Sequence, residues 1–309
     1  MKSIVGFYNK NRHAIWITIA VIILIFGVIK TLNSSFKDST KDISSSTNDS
    51  TTTYNNKNRS IMSGTDVPKE VANESTEIID SFMKFCNEND IESAYNLLSN
   101  DCKETLYPTV EEFKTNYVEK IFTTYRLYDK RAWANTDDTY TYSVKITEDL
   151  LSTGGNKDDM NIQDYYTLVK ENGEYKLNIN SYIGKKEIGK SKTENGIDFY
   201  VAKAENYIDY EIYVLRIKNN TKNDILLDSK KNTRTVYLKD IKNQTYIAFL
   251  NELSIDDITI KSGMTQTIRI KFNKAYNTQN VAESINFTNI VLKYEDSINS
   301  STMQIKIEI

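Results

Sequence analysis

The hydrophobic pattern along this chain changes its period several times. Residues Ala14 to Ile29 read AIWITIAVIILIFGVI, sixteen positions without a charged side chain. Extended through Leu32 the run has nineteen residues, about 28 Å of helix at 1.5 Å each. That is close to the ~20 apolar residues that cross a hydrocarbon core. Lys30 can hold its ammonium outward while its stem stays in lipid. The pattern predicts a transmembrane helix over 14–32. A buried core helix fits less well, because the run is apolar all round and a polar tract follows it. That tract, Ser34 to Gly64, contains SSF, SSST, STTT and YNNKN. It has too few large apolar side chains to offset chain entropy, so 33–66 is expected as a disordered stalk with an r.m.s. span of roughly 30 Å.

Beyond the stalk the spacing becomes helical. Val71, Ser75, Ile78, Ile79, Phe82, Phe85 and Cys86 fall on one helix face. Asp90 is placed to cap a short helix carrying Ala94, Leu97 and Leu98. Thr109 and Glu112 have capping-box spacing ahead of Val110, Phe113, Tyr117 and Ile121. The period then drops to two. Tyr140, Tyr142, Val144 and Ile146 alternate with polar residues, and Ile162–Val169 and Glu174–Ile179 flank Asn172-Gly173, a strong hairpin signal. Helices followed by an antiparallel meander predict an α+β domain over 67–183, its helices packed on one face of a curved sheet. Residues 194–309 are strand pattern throughout, with runs at Tyr210–Ile217, Thr233–Leu238, Ile258–Ile260, Thr267–Phe272, Phe287–Tyr294 and Met303–Ile309. Turn-bounded short strands with alternation predict an all-β sandwich. The intervening 184–193, dense in Lys185, Lys186, Lys190 and Lys192, is expected as a solvated linker.

Charge orients the anchor. Lys2, Lys10, Arg12 and His13 precede the apolar run and no acid does. Positive flanks stay cytoplasmic, so residues 1–13 form a cytoplasmic tail and the rest of the chain lies outside, with Trp16 at the inner headgroup layer. A cleaved signal peptide is the rival, but Val28-Ile29-Lys30-Thr31-Leu32 offers no small-x-small site, and no Cys follows to take a lipid. Residues 67–183 hold 12 bases and 22 acids, and residues 184–309 hold 19 and 16. An acidic domain repels phosphates and a small scattered excess of +3 does not attract them, so nucleic acid is excluded as a partner. The bias to Asn, Lys, Ile and Tyr, with only two prolines, fits an AT-rich bacterial genome. Cys86 and Cys102 are placed at helix ends about a helix length apart, beyond disulfide reach, and are expected as two buried thiols.

Candidate chemistry is sparse. His13 is the only histidine and belongs to the basic flank, which excludes a His-based triad outside the cell. Gly154–Asp159, Asp137-Asp138 and Asp256-Asp257 hold carboxylates, but none has the spaced pattern of a calcium loop, and each reads as a hydrophilic turn. The carboxylates Asp80 and Asp164, with Tyr95 and Tyr166, are the candidates to line a cavity in the α+β domain, where burial would tune them for acid–base work. No Walker loop, G-x-G-x-x-G, H-E-x-x-H or G-x-S-x-G occurs. No catalytic, cofactor-binding or metal-binding residue is assigned.

The stretch IIDSFMKFCNENDIESAYNLLSNDCK followed by TVEEFKTNYV, within Glu77 to Ile179, resembles the nuclear transport factor 2-like (cystatin-like) superfamily in helix order and in its second helix. The resemblance implies a cone-shaped α+β fold. Enzymes of that superfamily use Asp or His in the cone, and this chain has no His after His13. The last domain is similar to the immunoglobulin-like modules of bacterial surface proteins, without their Cys-Trp-Cys signature. A short basic tail, one span and such a domain outside also resemble the inner-membrane scaffold subunits of type IV secretion machines. The expected role is a non-enzymatic, membrane-anchored assembly or interaction protein with a protein partner outside the membrane. The rivals are a ligand-binding or enzymatic cone, favoured by a deep polar pocket, and a cell-wall-binding module, favoured by an aromatic platform on the sandwich.

Overall fold

The computed structural model describes residues 69–136, 139–149, 161–228, 234–294 and 301–309. The expected tail, the span over 14–32, the stalk and the turns at 137–138 and 154–159 lie outside the described residues. Among the described residues no helix is long and apolar enough to cross a membrane.

Local signals set the helices. Helix α1 (Lys69–Asn87) turns Ser75, Ile79, Phe82, Met83 and Cys86 inward at three- and four-residue intervals. Asp90 caps α2 (Ile91–Asn96), its carboxylate accepting the Ser93 N–H at 3.2 Å. Ser99 caps α3 (Asn100–Leu106), its hydroxyl accepting the Cys102 N–H at 2.9 Å. Thr109 and Glu112 form the expected reciprocal box at the start of α4 (Val110–Phe113). The helix then widens into a π turn, Lys114–Val118, before a last turn, Glu119–Ile121. The extra residue lets the adjacent Tyr117 and Val118 both face the core.

These helices cover one face of an antiparallel sheet in the order β1 (Arg126–Thr136), β2 (Thr139–Glu148), β3 (Asn161–Glu171), β4 (Glu174–Asn178). Tyr140, Tyr142, Val144 and Ile146 of β2 are buried, as their alternation requires. Asn172 and Gly173 both take positive φ, +52° and +91°, which matches the turn twist to the strands. Strand β1 has no clean alternation and was not anticipated. It lies at the sheet edge, where only one of its faces is covered.

Two further sheets follow. One has the order β12 (Thr265–Phe272), β7 (Glu211–Asn219), β6 (Ile197–Tyr207), β5 (Tyr182–Glu194). The other runs β10 (Thr245–Ile247), β9 (Val236–Asp240), β13 (Ala282–Val291), β8 (Ile225–Leu226), β11 (Thr259–Ile260), with β14 (Thr302–Glu308) paired to β13. Both sheets bury one face in a common core that includes Phe199, Leu215 and Phe272 from the first, and Leu238, Phe287 and Ile305 from the second.

The expected linker is corrected. Residues 184–193 are strand, part of β5, and pair with β6 from Tyr182–Tyr207 to Glu194–Ile197. Its lysines stand on an edge strand, which tolerates charge. Register shifts at Tyr182/Gly184 and Glu187/Lys190 break the period-two pattern that would have revealed it. Strand β5 spans both regions: Tyr182 packs into the core beneath the helices and Ile188 against the core between the two sheets. Tyr207, stacked 4.4 Å from Tyr210, also packs into the first core. Lys185 anchors the junction from the other side, 2.8 Å from Glu104 and 3.2 Å from Asp101 of α3.

Candidate functional site

The four residues singled out for a cavity go to three places. Asp80 lies on the α1 surface, where Tyr128 donates to it at 2.5 Å and Lys130 pairs with it. Tyr95 donates to the Tyr107 carbonyl at 2.9 Å, with the Lys103 ammonium 4.8 Å above its ring. Asp164 and Tyr166 do converge, because both sit on the helix-facing side of β3, two residues apart.

Tyr117 joins them from the π turn. Its hydroxyl donates to Asp164 Oδ2 at 3.3 Å and shares a 2.6 Å hydrogen bond with the Tyr166 hydroxyl. The remaining donors to Asp164 come from the β4–β5 connection, where Asn180 and Ser181 hold consecutive left-handed conformations at φ +57° and +59°. Oδ2 accepts the Asn180 N–H at 3.1 Å; Oδ1 accepts the Ser181 N–H at 2.8 Å, the Ser181 hydroxyl at 3.3 Å and the Tyr165 N–H at 2.7 Å. Single left-handed residues are costly for L side chains, and this carboxylate satisfies the amides they turn inward.

Burial pushes the Asp164 carboxyl up to about 6, against the pull of the Tyr165, Asn180 and Ser181 donors. Burial also drives the Tyr117 and Tyr166 phenols well above the ordinary range; Tyr166 and Asp164 raise Tyr117 further, whereas Tyr166 is raised by Asp164 and lowered by its hydrogen bond with Tyr117. A carboxyl near 6 has the proton affinity of a general base. Its geometry opposes that use: both oxygens are engaged by the chain's own donors, and the surrounding space is filled. Phe82, Phe113 and Tyr117 pack with ring centroids 5.7–6.1 Å apart. Tyr166 meets Phe82 edge-on at 5.6 Å and Tyr107 meets Phe113 at 5.5 Å. Sequence reasoning missed Tyr117 as a polar partner, since its spacing marks only an inward position. It also missed Asn180-Ser181, although adjacent Asn and Ser after a strand favour such a turn.

Two hollows lie along the junction. One of about 250 Å³ is bordered by Lys186, Glu211, Tyr213 and Asn277. Another of about 360 Å³ is bordered by Asp101, Glu171 and Asn178. They share Lys185, Asn206 and Tyr276. Cys86 and Cys102 are buried free thiols. Burial raises both, Cys102 to about 12, which leaves them unreactive. Asp257 accepts from the Ser254 N–H and hydroxyl at 2.8 and 2.7 Å, closing a turn. Among the described residues no three His, Cys, Asp or Glu side chains are grouped to hold a metal ion. Compared with known proteins, the chain matches no family, no curated protein and no solved structure.

Proposed function

We propose that this chain is a non-enzymatic assembly module, anchored by 14–32 and presented outside the membrane, whose 67–183 region is a cone-shaped domain of the nuclear transport factor 2-like type and whose two-sheet region is immunoglobulin-like. A scaffold of a conjugation or secretion machine is the specific form of this reading. One observation carries it: the interior beneath the helices, where an enzyme of that type keeps an open cavity, is filled by Phe82, Tyr107, Phe113, Tyr117 and Tyr166. A second reading, small-ligand binding at the junction and not in the cone, is supported by the hollows along β5.

The test compares phenotype with stability. Asp164→Asn and Tyr166→Phe, introduced singly, are expected to complement a deletion strain in proportion to their folded fraction, as structural changes do. A stable, correctly located Asp164→Asn protein that fails to complement would replace the assembly reading with a catalytic one. The anchor has its own check. Whole-cell thiol labelling should reach Ser50→Cys and not Ser3→Cys, with Cys86 and Cys102 silent inside the fold. Labelling at Ser3→Cys in intact cells would reverse the orientation.

A further inference from the structure

We propose that the free edge of β1 is the docking edge for a second copy of this chain, paired antiparallel about a two-fold axis at Lys130.

Among the described residues the sheet beneath the helices has one edge without a covering segment. On the β4 side, Ser99 donates to the Leu177 carbonyl and Leu177 to the Leu97 carbonyl, both at 2.9 Å, which closes that edge with the α2–α3 connection. On the β1 side, Asn87 at the end of α1 takes the place of a neighbouring strand for one residue. It accepts the Arg126 N–H at 2.8 Å and donates to the Arg126 carbonyl at 3.0 Å. The peptide groups of Arg126 therefore point away from β2, and by alternation those of Tyr128, Lys130 and Ala132 do too. A bulge between Ala132 and Ala134 ends the regular stretch. Between the Asn87 cap and the bulge lie residues 127–133, centred on Lys130. Among the described residues no strand pairs with this edge.

The centre fixes the register. Pairing Lys130 with the partner's Lys130 sets Tyr128 opposite the partner's Ala132, so three residues on each copy exchange six backbone hydrogen bonds. On the face away from the helices, Asp129 then stands opposite the partner's Arg131, and Leu127 opposite the partner's Trp133. Each pair occurs twice by symmetry. Asp129 and Arg131 are exposed side chains that pair with each other at 3.0 Å within a copy, so the cross-copy pairs exchange these partners, and Leu127 is 48% exposed despite being apolar. Trp133 is held edge-on against Tyr165, ring centroids 4.9 Å apart. The one like-charged pair, Lys130 with the partner's Lys130, is offset within each copy, because every Lys130 ammonium binds its own Asp80 and, at 3.1 Å, the Thr76 carbonyl. Opposite charges and apolar partners across an antiparallel pair stabilise it, and like charges oppose it. The edge is complementary to itself. This deepens the assembly reading and rests on it only for purpose: a monomer would overturn the edge pairing and leave assembly through another surface standing.

The experiment uses the full chain in its membrane. Directly opposed residues of a hydrogen-bonded pair have Cα atoms about 5.5 Å apart, within disulfide reach. Lys130→Cys should give a reducible covalent dimer on mild oxidation, and Lys145→Cys on the neighbouring β2 should not. Adding Asp129→Arg should cut the yield several-fold, and adding Arg131→Asp to that variant should restore it. Since Lys130→Cys also removes the partner of Asp80, the Asp129 and Arg131 series is repeated with Lys130 intact, reading oligomer mass in detergent. A monomer in both formats, equal crosslinking at Lys145→Cys, or a yield that ignores the charge reversal overturns the proposal. So does a crosslink from Lys130→Cys to residues 33–68 of the same chain, which would make that segment the occupant.

Discussion

The region beneath the helices and the two-sheet region both bury carboxylates, and Asp164 of the first is satisfied in the opposite way from Glu205 and Glu211 of the second, which also buries Asp240 among neutral donors. Asp164 receives only neutral donors: three amides, the Ser181 hydroxyl and the Tyr117 phenol. Glu205 and Glu211 receive cations. Arg269 and Lys203 converge on Glu205, which is fully buried. Lys274, 2% exposed, sits 2.5 Å from Glu211, 4% exposed, with the Tyr213 hydroxyl at 3.0 Å. A paired charge must keep its partner, whereas a carboxylate held by neutral donors can take up a proton and stay. The cation strategy makes the sheets sensitive to deletion of one side chain. The neutral strategy makes the first region sensitive to pH.

The largest expected effect follows from the first half of that contrast. Lys274→Met leaves Glu211 buried beside Tyr213 without its ion-pair partner, Lys186 being the cation that still acts on it, a change that costs about 3–5 kcal/mol in comparable buried pairs. Adding Glu211→Leu should recover most of the loss, because a well-packed apolar pair avoids desolvation altogether. Denaturant unfolding of the four corners of this cycle measures both terms. A single-variant loss below about 1 kcal/mol would mean water reaches Glu211 and the pair is not buried in solution.

The second half predicts a pH signature. The Asp164 carboxyl titrates near 6 in the fold and near 3.8 when unconstrained. The folded state therefore binds the proton more tightly, and the resulting stabilisation is complete below about pH 4 and lost as pH rises through about 6. Stability of the native chain minus that of Asp164→Asn should thus increase on acidification from pH 7 to pH 4, by up to about 3 kcal/mol at 1.36 kcal/mol per unit. The sign is the test. A difference that shrinks on acidification would mean the five donors, not burial, dominate the carboxyl.

What was readable in the sequence divides along the same line of locality. The caps at Asp90 and Thr109 and the turn at Asn172-Gly173 were legible, because each is a contact between residues at most three apart. The alternation of β2 was legible because one of its faces is uniformly apolar. Strand β5 was not: two register shifts and four lysines on an edge erase both the period and the apolar face. The site residues were half legible. Asp164 and Tyr166 share a strand face and could be paired by counting. The Tyr117–Asp164 contact closes 47 residues of chain through a π turn, for which the sequence carries no local mark.

The smallest expected effect compares two turns of the same chemistry, one in each region. Asn172-Gly173 and Asn195-Gly196 both carry two positive φ values, with the glycines at +91° and +77°. Replacing either glycine by Ala forces an L side chain into a left-handed conformation, a loss of about 1 kcal/mol from backbone strain. Their surroundings differ. A Cβ at Gly173 meets nothing within 4 Å, whereas one at Gly196 comes within 3.4 Å of the Thr221 methyl. Gly196→Ala should therefore cost somewhat more than Gly173→Ala, and Gly196→Ala/Thr221→Ser should bring the two level, because it removes only that methyl. Thermal unfolding of the three variants resolves the difference. If the double variant remains the less stable, the excess comes from the hairpin that ties β5 to β6, and the junction between the regions then depends on that turn's backbone more than on the side chain beside it.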